Sequence, residues 1–304
     1  MMRVLIAGVI LAGTFAAPAF SAEGESIALT PTSKRLTLDP GTVKEDKISI
    51  INDGTVPYSF RVYARPYLTE GEDYKPVFDK LTAITDVYEW ISFKETEYTL
   101  APGKTVEVPF TVRVPATAQG GGHYGVIFAE TQPPTPDQTS VVRKKRVGAI
   151  LYTTVSGDNR TDGRIAETSL PFLQTNPPLK ASTRITNDGN VDFQTRNAIT
   201  VKSVFGSTVY SNERDLAVLP STTRKVSYEW SGGSSFGLYQ VTIATSLLGK
   251  TETKSSYVLL MPIWVMIALL AMIVVGSGLI AGIKVTKSKK TRSVRKTKSS
   301  RRRR

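Results

Sequence analysis

The chain has no cysteine and one histidine, and both shortages exclude chemistry. Without cysteine it can form no disulfide, no thiolate zinc site and no cysteine nucleophile. With His123 alone, it can build neither a multi-histidine metal site nor a catalytic triad that needs a histidine beside a nucleophile signature. We therefore predict a protein that is not an enzyme and needs no metal or cofactor.

Acidic residues are missing from residues 284–304, a segment that holds six Lys and six Arg. Of the 39 Lys and Arg in the chain, these 12 and Arg3 can be set aside, which leaves 26 against 26 Asp and Glu. The net charge of +13 therefore comes from the tail, and it does not predict nucleic-acid binding. We expect a cytoplasmic tail that attracts anionic lipid.

Charge of either sign is missing from residues 258–283. A run of this length exceeds the roughly 20 apolar residues that cross a bilayer, and the basic tail after it would lie in the cytoplasm. These features predict a single-pass cell-membrane protein with a transmembrane helix over 257–283 and an extracellular ectodomain. Gly278 and Gly282 form a GxxxG pair that could pack against a second helix.

The remaining sequence has mainly strand and turn patterns. Residues 105–114 alternate apolar and polar side chains, which is typical of a strand with one buried face. Pro109 within that run cannot donate a ladder hydrogen bond, which predicts an edge strand or a bulge. Residues 68–78 and a short helix over 81–91 are predicted to form an insertion on a sandwich edge.

Landmarks of the first half recur in the second half in the same order. The turn Asn52-Asp-Gly54 corresponds to Asn187-Asp-Gly189, and each follows a predicted strand. This repeat predicts an all-β fold of two tandem immunoglobulin-like β-sandwiches followed by one transmembrane helix. The predicted divisions are a signal peptide (1–22), a first sandwich (23–157), a linker (158–163), a second sandwich (164–256), the transmembrane helix (257–283) and the basic tail (284–304).

The order of these segments resembles that of the WxL-interacting proteins of Gram-positive bacteria. The resemblance implies a first domain that binds peptidoglycan, a second that binds a host protein, and a membrane anchor. The motifs that carry it are Leu38-Asp-Pro-Gly41, Asn52-Asp-Gly54, Leu100-Ala-Pro-Gly103, Pro115 with Gly120-Gly-Gly-His-Tyr124, Asn187-Asp-Gly-Asn190, and Val218-Leu-Pro220 with Phe236-Gly-Leu-Tyr239.

Candidate ligand contacts lie in two segments. In residues 58–67 the alternation places Arg61, Tyr63 and Arg65 on the outward side, where a Tyr between two Arg could stack on a sugar ring and bind carboxylates. Ordinary cross-strand pairing would produce the same pattern. His123 and Tyr124 follow three glycines, and a structural role for the histidine is the alternative to ligand contact.

Two functional hypotheses follow. The first is a non-enzymatic surface protein whose ectodomain binds cell-wall polymer or an envelope or host protein. The alternative is a chaperone-like assembly or export accessory that binds secreted partners by β-strand addition at an open sheet edge.

Overall fold

A computed structural model describes residues 24–132, 144–175, 177–232 and 236–278. These residues form an all-β protein, which confirms the predicted class. Contacts divide the chain into two compact units: the described parts of Met1–Leu68 and Val77–Gly157 form the first, and those of Thr69–Pro76 and Asp158–Arg304 form the second. The predicted signal peptide (1–22) and basic tail (284–304) lie outside the described residues, and the predicted domain boundaries stay a prediction.

The strands before residue 157 form two mostly antiparallel sheets in the first unit. Two further short strands form a separate hairpin. The sheet orders are β1-β3-β9-β7 and β2-β11-β10-β4-β8, and β5 pairs with β6. The strands are β1 Ile27–Thr30, β2 Ser33–Leu38, β3 Val43–Asn52, β4 Tyr58–Pro66, β5 Leu68–Glu70, β6 Lys75–Val77, β7 Ile91–Phe93, β8 Glu97–Leu100, β9 Thr105–Arg113, β10 Gly121–Gln132 and β11 Arg146–Val155.

The core of the first unit lies between its two sheets. Side chains alternate between the two faces of each strand, so every second residue of both sheets points into this core. Val108 and Phe110 of β9 belong to the same buried cluster as Phe60 of β4 and Leu151 of β11. Burying each large apolar side chain contributes about 1.5–3 kcal/mol, so the alternating pattern fixes which face of each strand turns inward.

Pro109 lies in a strand whose outer side is only partly paired. β9 pairs with β3 over its whole length without a register shift, so there is no bulge at Pro109. On the other side, β7 pairs only with Phe110–Val112. Within the described chain no strand pairs with that side of 105–109, so the predicted edge position is confirmed for this part of β9.

The second unit is also built from two sheets. Their orders are β12-β14-β17 and β13-β19-β18-β15-β16. Between them lies a second buried cluster that includes Ile199, Tyr228 and Val241. The strands are β12 Gly163–Ser169, β13 Leu173–Gln174, β14 Leu179–Asn187, β15 Phe193–Ser203, β16 Thr208–Val218, β17 Thr223–Trp230, β18 Gly237–Leu247 and β19 Lys250–Leu260.

The repeated Asn-Asp-Gly turns have the same hydrogen bonds in both units. The amide of Asn52 donates to the carbonyls of Val56 (2.9 Å) and Leu100 (3.0 Å), and its oxygen accepts from Gly54 N (3.0 Å). The amide of Asn187 donates to the carbonyls of Val191 (2.9 Å) and Val218 (2.8 Å), and its oxygen accepts from Gly189 N (2.8 Å). Each buried Asn therefore ties its turn to the carbonyl of a different strand.

Close packing, rather than a left-handed backbone, explains the glycines of these turns. Neither Gly54 nor Gly189 has the positive φ that glycine often supplies in turns. A Cβ on Gly54 would lie 2.3 Å from the Gly24 carbonyl oxygen, and one on Gly189 would lie 2.3 Å from that of Arg160. Positive φ therefore does not explain the glycine at either turn.

The predicted insertion divides into two parts. The hairpin of β5 and β6 packs in the second unit, where Glu72 binds Arg184 (2.7 Å) and its carbonyl accepts from Lys225 N (2.8 Å). The hydroxyl of Tyr74 accepts from Leu219 N at 3.0 Å. The predicted helix over 81–91 is only a 3-10 helix, Asp86–Trp90, in the first unit.

The predicted transmembrane helix over 257–283 is corrected by the structure. Residues 257–260 belong to β19 and pair with β18, with Val258 and Leu260 in the core of the second unit. A helix follows at 263–278, and Gly278 is its last described residue, whereas Gly282 lies outside the described residues. Among the residues that the structure describes, no helix is both long enough and apolar enough to cross a membrane.

Candidate functional site

The outer face of the five-stranded sheet in the first unit carries a layer of arginine and aromatic side chains. Register places Arg146 of β11, Glu130 of β10 and Arg61 of β4 side by side. The neighbouring row holds Gly148, Phe128 and Tyr63. The predicted outward set of Arg61, Tyr63 and Arg65 thus lies on this face, although its predicted contact with a ligand stays a prediction.

Arginines stack on the aromatic rings of this layer. The guanidinium carbons of Arg61 and Arg65 lie 5.1 and 5.8 Å from the centre of the Tyr63 ring. That of Arg146 lies 4.3 Å from the centre of the Phe128 ring. Such cation–π contacts contribute about 0.5–1 kcal/mol each at exposed sites, and they hold the planar arginines against the sheet.

Glu130 collects several partners on this face. It accepts from the Tyr63 hydroxyl (2.7 Å) and from Arg61 (3.2 Å), and Lys144 lies 3.9 Å away. The Tyr63 hydrogen bond, together with Arg61, holds the pKa of Glu130 below its usual range despite its burial. Arg61, Lys144 and the neighbouring Arg146 surround Glu130, and Glu97 lies opposite Arg61 in the ladder. Three cations therefore face two carboxylates, which leaves this corner with a small positive excess.

The predicted ligand contact His123 is buried and fully partnered. Its Nδ1 lies 2.6 Å from the Asp86 carboxylate and its Nε2 lies 3.0 Å from the Gln119 carbonyl, two groups that only accept. A protonated ring satisfies both. Burial lowers the pKa of His123, but the Asp86 and Gln119 hydrogen bonds outweigh it and raise the pKa above its ordinary value. The imidazole ring of His123 thus links β10 to Asp86 at the start of the 3-10 helix.

Tyr124, the other predicted contact in this segment, is also buried. Its ring centre lies 5.9 Å from that of Tyr152 in an edge-on arrangement, and Arg35 stacks on Tyr152 at 4.5 Å. Tyr124 and His123 therefore do not join Tyr63 in one exposed cluster. Their predicted ligand contact remains untested.

The edge of β11 has no ladder partner at its beginning, although β1 lies close beside it there. β2 pairs with β11 in parallel over Ile150–Val155 only. The Ile150 amide donates to Thr32 O (3.0 Å), whereas the carbonyl of Lys145 accepts from Thr131 on the β10 side (2.8 Å). Even-numbered residues of β11 therefore direct their peptide groups away from β10. In the described chain, no backbone group pairs with the outward peptide groups of Arg146 and Gly148.

Most other sheet edges in the described residues are short, irregular or already capped. β1, β7, β8 and β13 have four residues or fewer. β12 has a register shift between Ile165 and Glu167. On β17 the Lys225 amide is taken by Glu72 O and the Ser227 carbonyl by Arg214 (2.7 Å). Such features discourage edge pairing. The opening on β11 is also short, and the edge strands β2 (six residues) and β16 (11 residues) are longer. Among the described residues, however, the opening has no register shift and no cap on its outward peptide groups.

Arg146 and Gly148 were not among the residues predicted as a site. Alternation over 147–155 predicts the strand correctly, but it does not show which side of the strand lacks a partner. The pairing with β2, more than 100 residues earlier, leaves the opening, and no local pattern encodes that pairing.

Comparisons with known proteins show no family for this chain. No family model matches the chain, and no curated protein matches it. Solved structures that resemble it include the class 5 fimbriae chaperone CfaA (10% identity, 77% of this chain and 99% of that chain, TM-score 0.37). The E. coli chaperone DraB is 13% identical, with 77% of this chain and 99% of that chain covered and a TM-score of 0.37. A CsuC–CsuE chaperone–adhesin pre-assembly complex of Acinetobacter baumannii is 11% identical, with 76% of this chain and 97% of that chain covered and a TM-score of 0.40.

The resemblance to WxL-interacting proteins is corrected, because the similar solved structures named above are chaperones or a chaperone complex. The motifs that carried the resemblance are mostly turn and strand signals, which do not discriminate between families of similar fold. The predicted partners, namely peptidoglycan, a host protein, a bilayer and anionic lipid, are corrected with it. So are the cell-surface and single-pass membrane localisation.

Proposed function

We propose that this protein is a chaperone-like assembly or export accessory that binds an extended segment of a secreted partner by strand addition. The open edge of β11 at Arg146 and Gly148 carries the proposal. It offers two outward peptide groups in a line with β2, which already shows that a strand can occupy this side of β11 farther along. The two units are, in this proposal, tandem immunoglobulin-like sandwiches.

The side chains around the opening suit an added strand. Ala149 is buried in the core and Val147 packs partly buried against it. Ile27 of β1 also packs against this core, so the sandwich edge beside the opening is apolar. A partner strand with apolar residues at alternate positions would cover these side chains, while its backbone would pair with β11. This role requires no catalytic group.

The test uses the full chain and a nine-residue peptide of alternating Val and Thr, with a lysine at each end for solubility. Strand addition is expected to slow hydrogen exchange at the Arg146 and Gly148 amides. Binding is then measured by fluorescence anisotropy of the labelled peptide. Exchange that stays unchanged at both amides, at peptide concentrations up to the solubility limit, would overturn the proposal.

A matched pair of variants separates backbone from side chain. Arg146→Pro removes the outward N–H, and we expect peptide binding to weaken about 2- to 10-fold, the effect of one net hydrogen bond. Arg146→Ala keeps the N–H and is expected to bind this peptide, which carries no charge between its terminal lysines, like the original chain. Equal loss in both variants would contradict pairing through the backbone.

A further inference from the structure

The row that borders the open edge contains a glycine covered by an aromatic ring. Gly148 is directly opposite Phe128 in the ladder. A Cβ at Gly148 would lie 2.8 Å from the Phe128 ring, so the ring occupies the space of the missing side chain. Phe128 therefore extends across β11 towards the open edge, and a strand added there would meet the ring over Gly148.

The next row places a positive charge at the same edge. Arg146 is exposed, and its guanidinium carbon lies 4.3 Å from the centre of the Phe128 ring. Glu130, its neighbour across the ladder, already binds Arg61 and the Tyr63 hydroxyl. With Lys144 nearby, three cations outnumber the two carboxylates of this row, Glu130 and Glu97, and the corner is complementary to an additional acid.

From these two rows we propose a recognition pattern for the added strand, and this inference rests on the proposed function. Residues directly opposite each other in a ladder share a face, so the partner residues opposite Gly148 and Arg146 both lie on the outer face, two positions apart. The partner carries an aromatic or large apolar residue opposite Gly148 and an Asp or Glu opposite Arg146. The residues between and beside them are apolar and face inward.

The physical basis is the cross-strand pair. Because the Phe128 ring already covers the backbone of Gly148, an aromatic side chain opposite Gly148 would pack against the side of that ring. The carboxylate gains a charged hydrogen bond at a partly solvated arginine. Each pair contributes a modest preference, and the two together are expected to raise affinity about 3- to 10-fold over Thr at both positions.

The test compares four labelled peptides in the Val/Thr host. The peptides differ at two outward positions that are separated by one Val. The host has Thr at both positions, two peptides carry Phe and Glu in opposite orders, and the fourth carries Phe and Lys. Both orders of Phe and Glu are needed because the direction of the added strand decides which residue lies opposite Gly148. One order is expected to bind about 3- to 10-fold tighter than the host, and a peptide with Phe and Lys is expected to lose the gain from the charge. Equal affinity of all four peptides would overturn the inference while leaving strand addition intact.

Charge reversal supplies the decisive control. Arg146→Glu is expected to invert the preference, so that the Phe/Lys peptide binds tighter than the Phe/Glu peptide. Arg113→Glu changes an exposed arginine of the same unit on β9, in the other sheet, and is expected to leave the preference unchanged. If Arg113→Glu shifts the preference as much as Arg146→Glu, only the general charge of the unit matters, and the pattern is wrong. If no peptide binds or slows exchange, the proposed function itself fails.

Discussion

Replacing Asn52 with alanine would remove the side chain that ties the first Asn-Asp-Gly turn to the core. Asn52 is fully buried, and the substitution would leave the carbonyls of Val56 and Leu100 and the amide of Gly54 without their partners. Each buried polar group that loses its partner costs about 1–3 kcal/mol. Because a carbonyl has a second lone pair and the cavity could admit a water, we expect a total loss of about 3–5 kcal/mol in the free energy of unfolding.

The measurement is urea unfolding followed by pulsed hydrogen exchange and mass spectrometry, which reads peptides of each unit separately. The loss is expected in peptides of the first unit. Asn187→Ala is the matched variant, because its side chain makes equivalent bonds in the second unit. Asp53→Ala, at the exposed neighbouring position, is expected to change stability by less than about 0.5 kcal/mol. A loss below about 1 kcal/mol for both asparagines would refute the assignment of these bonds as stabilising.

Three further predictions concern other contacts. The pKa of His123 is raised in the folded state, so its contact with Asp86 should stabilise the fold fully below about pH 6.5. This stabilisation should be lost as the pH rises through the folded pKa, and the free energy of unfolding measured from pH 5 to 9 should fall accordingly. Gly189→Ala should destabilise the second unit by about 1–3 kcal/mol in thermal unfolding, because its Cβ would meet backbone atoms. Tyr74→Phe should cost the second unit about 1 kcal/mol in urea unfolding, since Leu219 N loses its acceptor.

Each of these has an outcome that contradicts it. For the histidine, a His123→Phe variant with the same pH dependence as the original chain would assign that dependence to other groups. For the glycine, Gly249→Ala is the comparison, because a Cβ there meets no atom within 4 Å but the backbone has a positive φ. If Gly189→Ala costs less than Gly249→Ala, backbone contact does not select Gly189. For Tyr74→Phe, no change in either unit would show that its hydroxyl contributes nothing.

Local patterns predicted much of the first unit. The alternation in 105–114 identified β9, and that in 58–67 correctly turned Phe60 inward and Tyr63 outward. These predictions succeed because side chains of a strand alternate with a period of two, so that the pattern is written within a few residues. The repeated Asn-Asp-Gly turn is local in the same way.

Patterns failed where a residue's role depends on distant partners. The uncharged run from 258 onwards predicted a helix, yet its first residues pair with β18 and fill a core. The polar hairpin around Glu72 looked like an exposed insertion, but it packs in the second unit. Apolarity alone does not distinguish a core strand from the start of an apolar helix, because either environment excludes water.

The sequence by itself determined the all-β class, the recurrence of the two asparagine turns and the lack of thiol and multi-histidine chemistry, since these follow from composition and short-range periodicity. Only the tertiary structure decided that β2 stops pairing with β11 at Ile150, and hence that Arg146 and Gly148 face an open edge. The physical reason is that hydrogen bonds between strands join residues far apart in the chain. Which backbone groups remain unpaired is therefore a property of the assembled sheets.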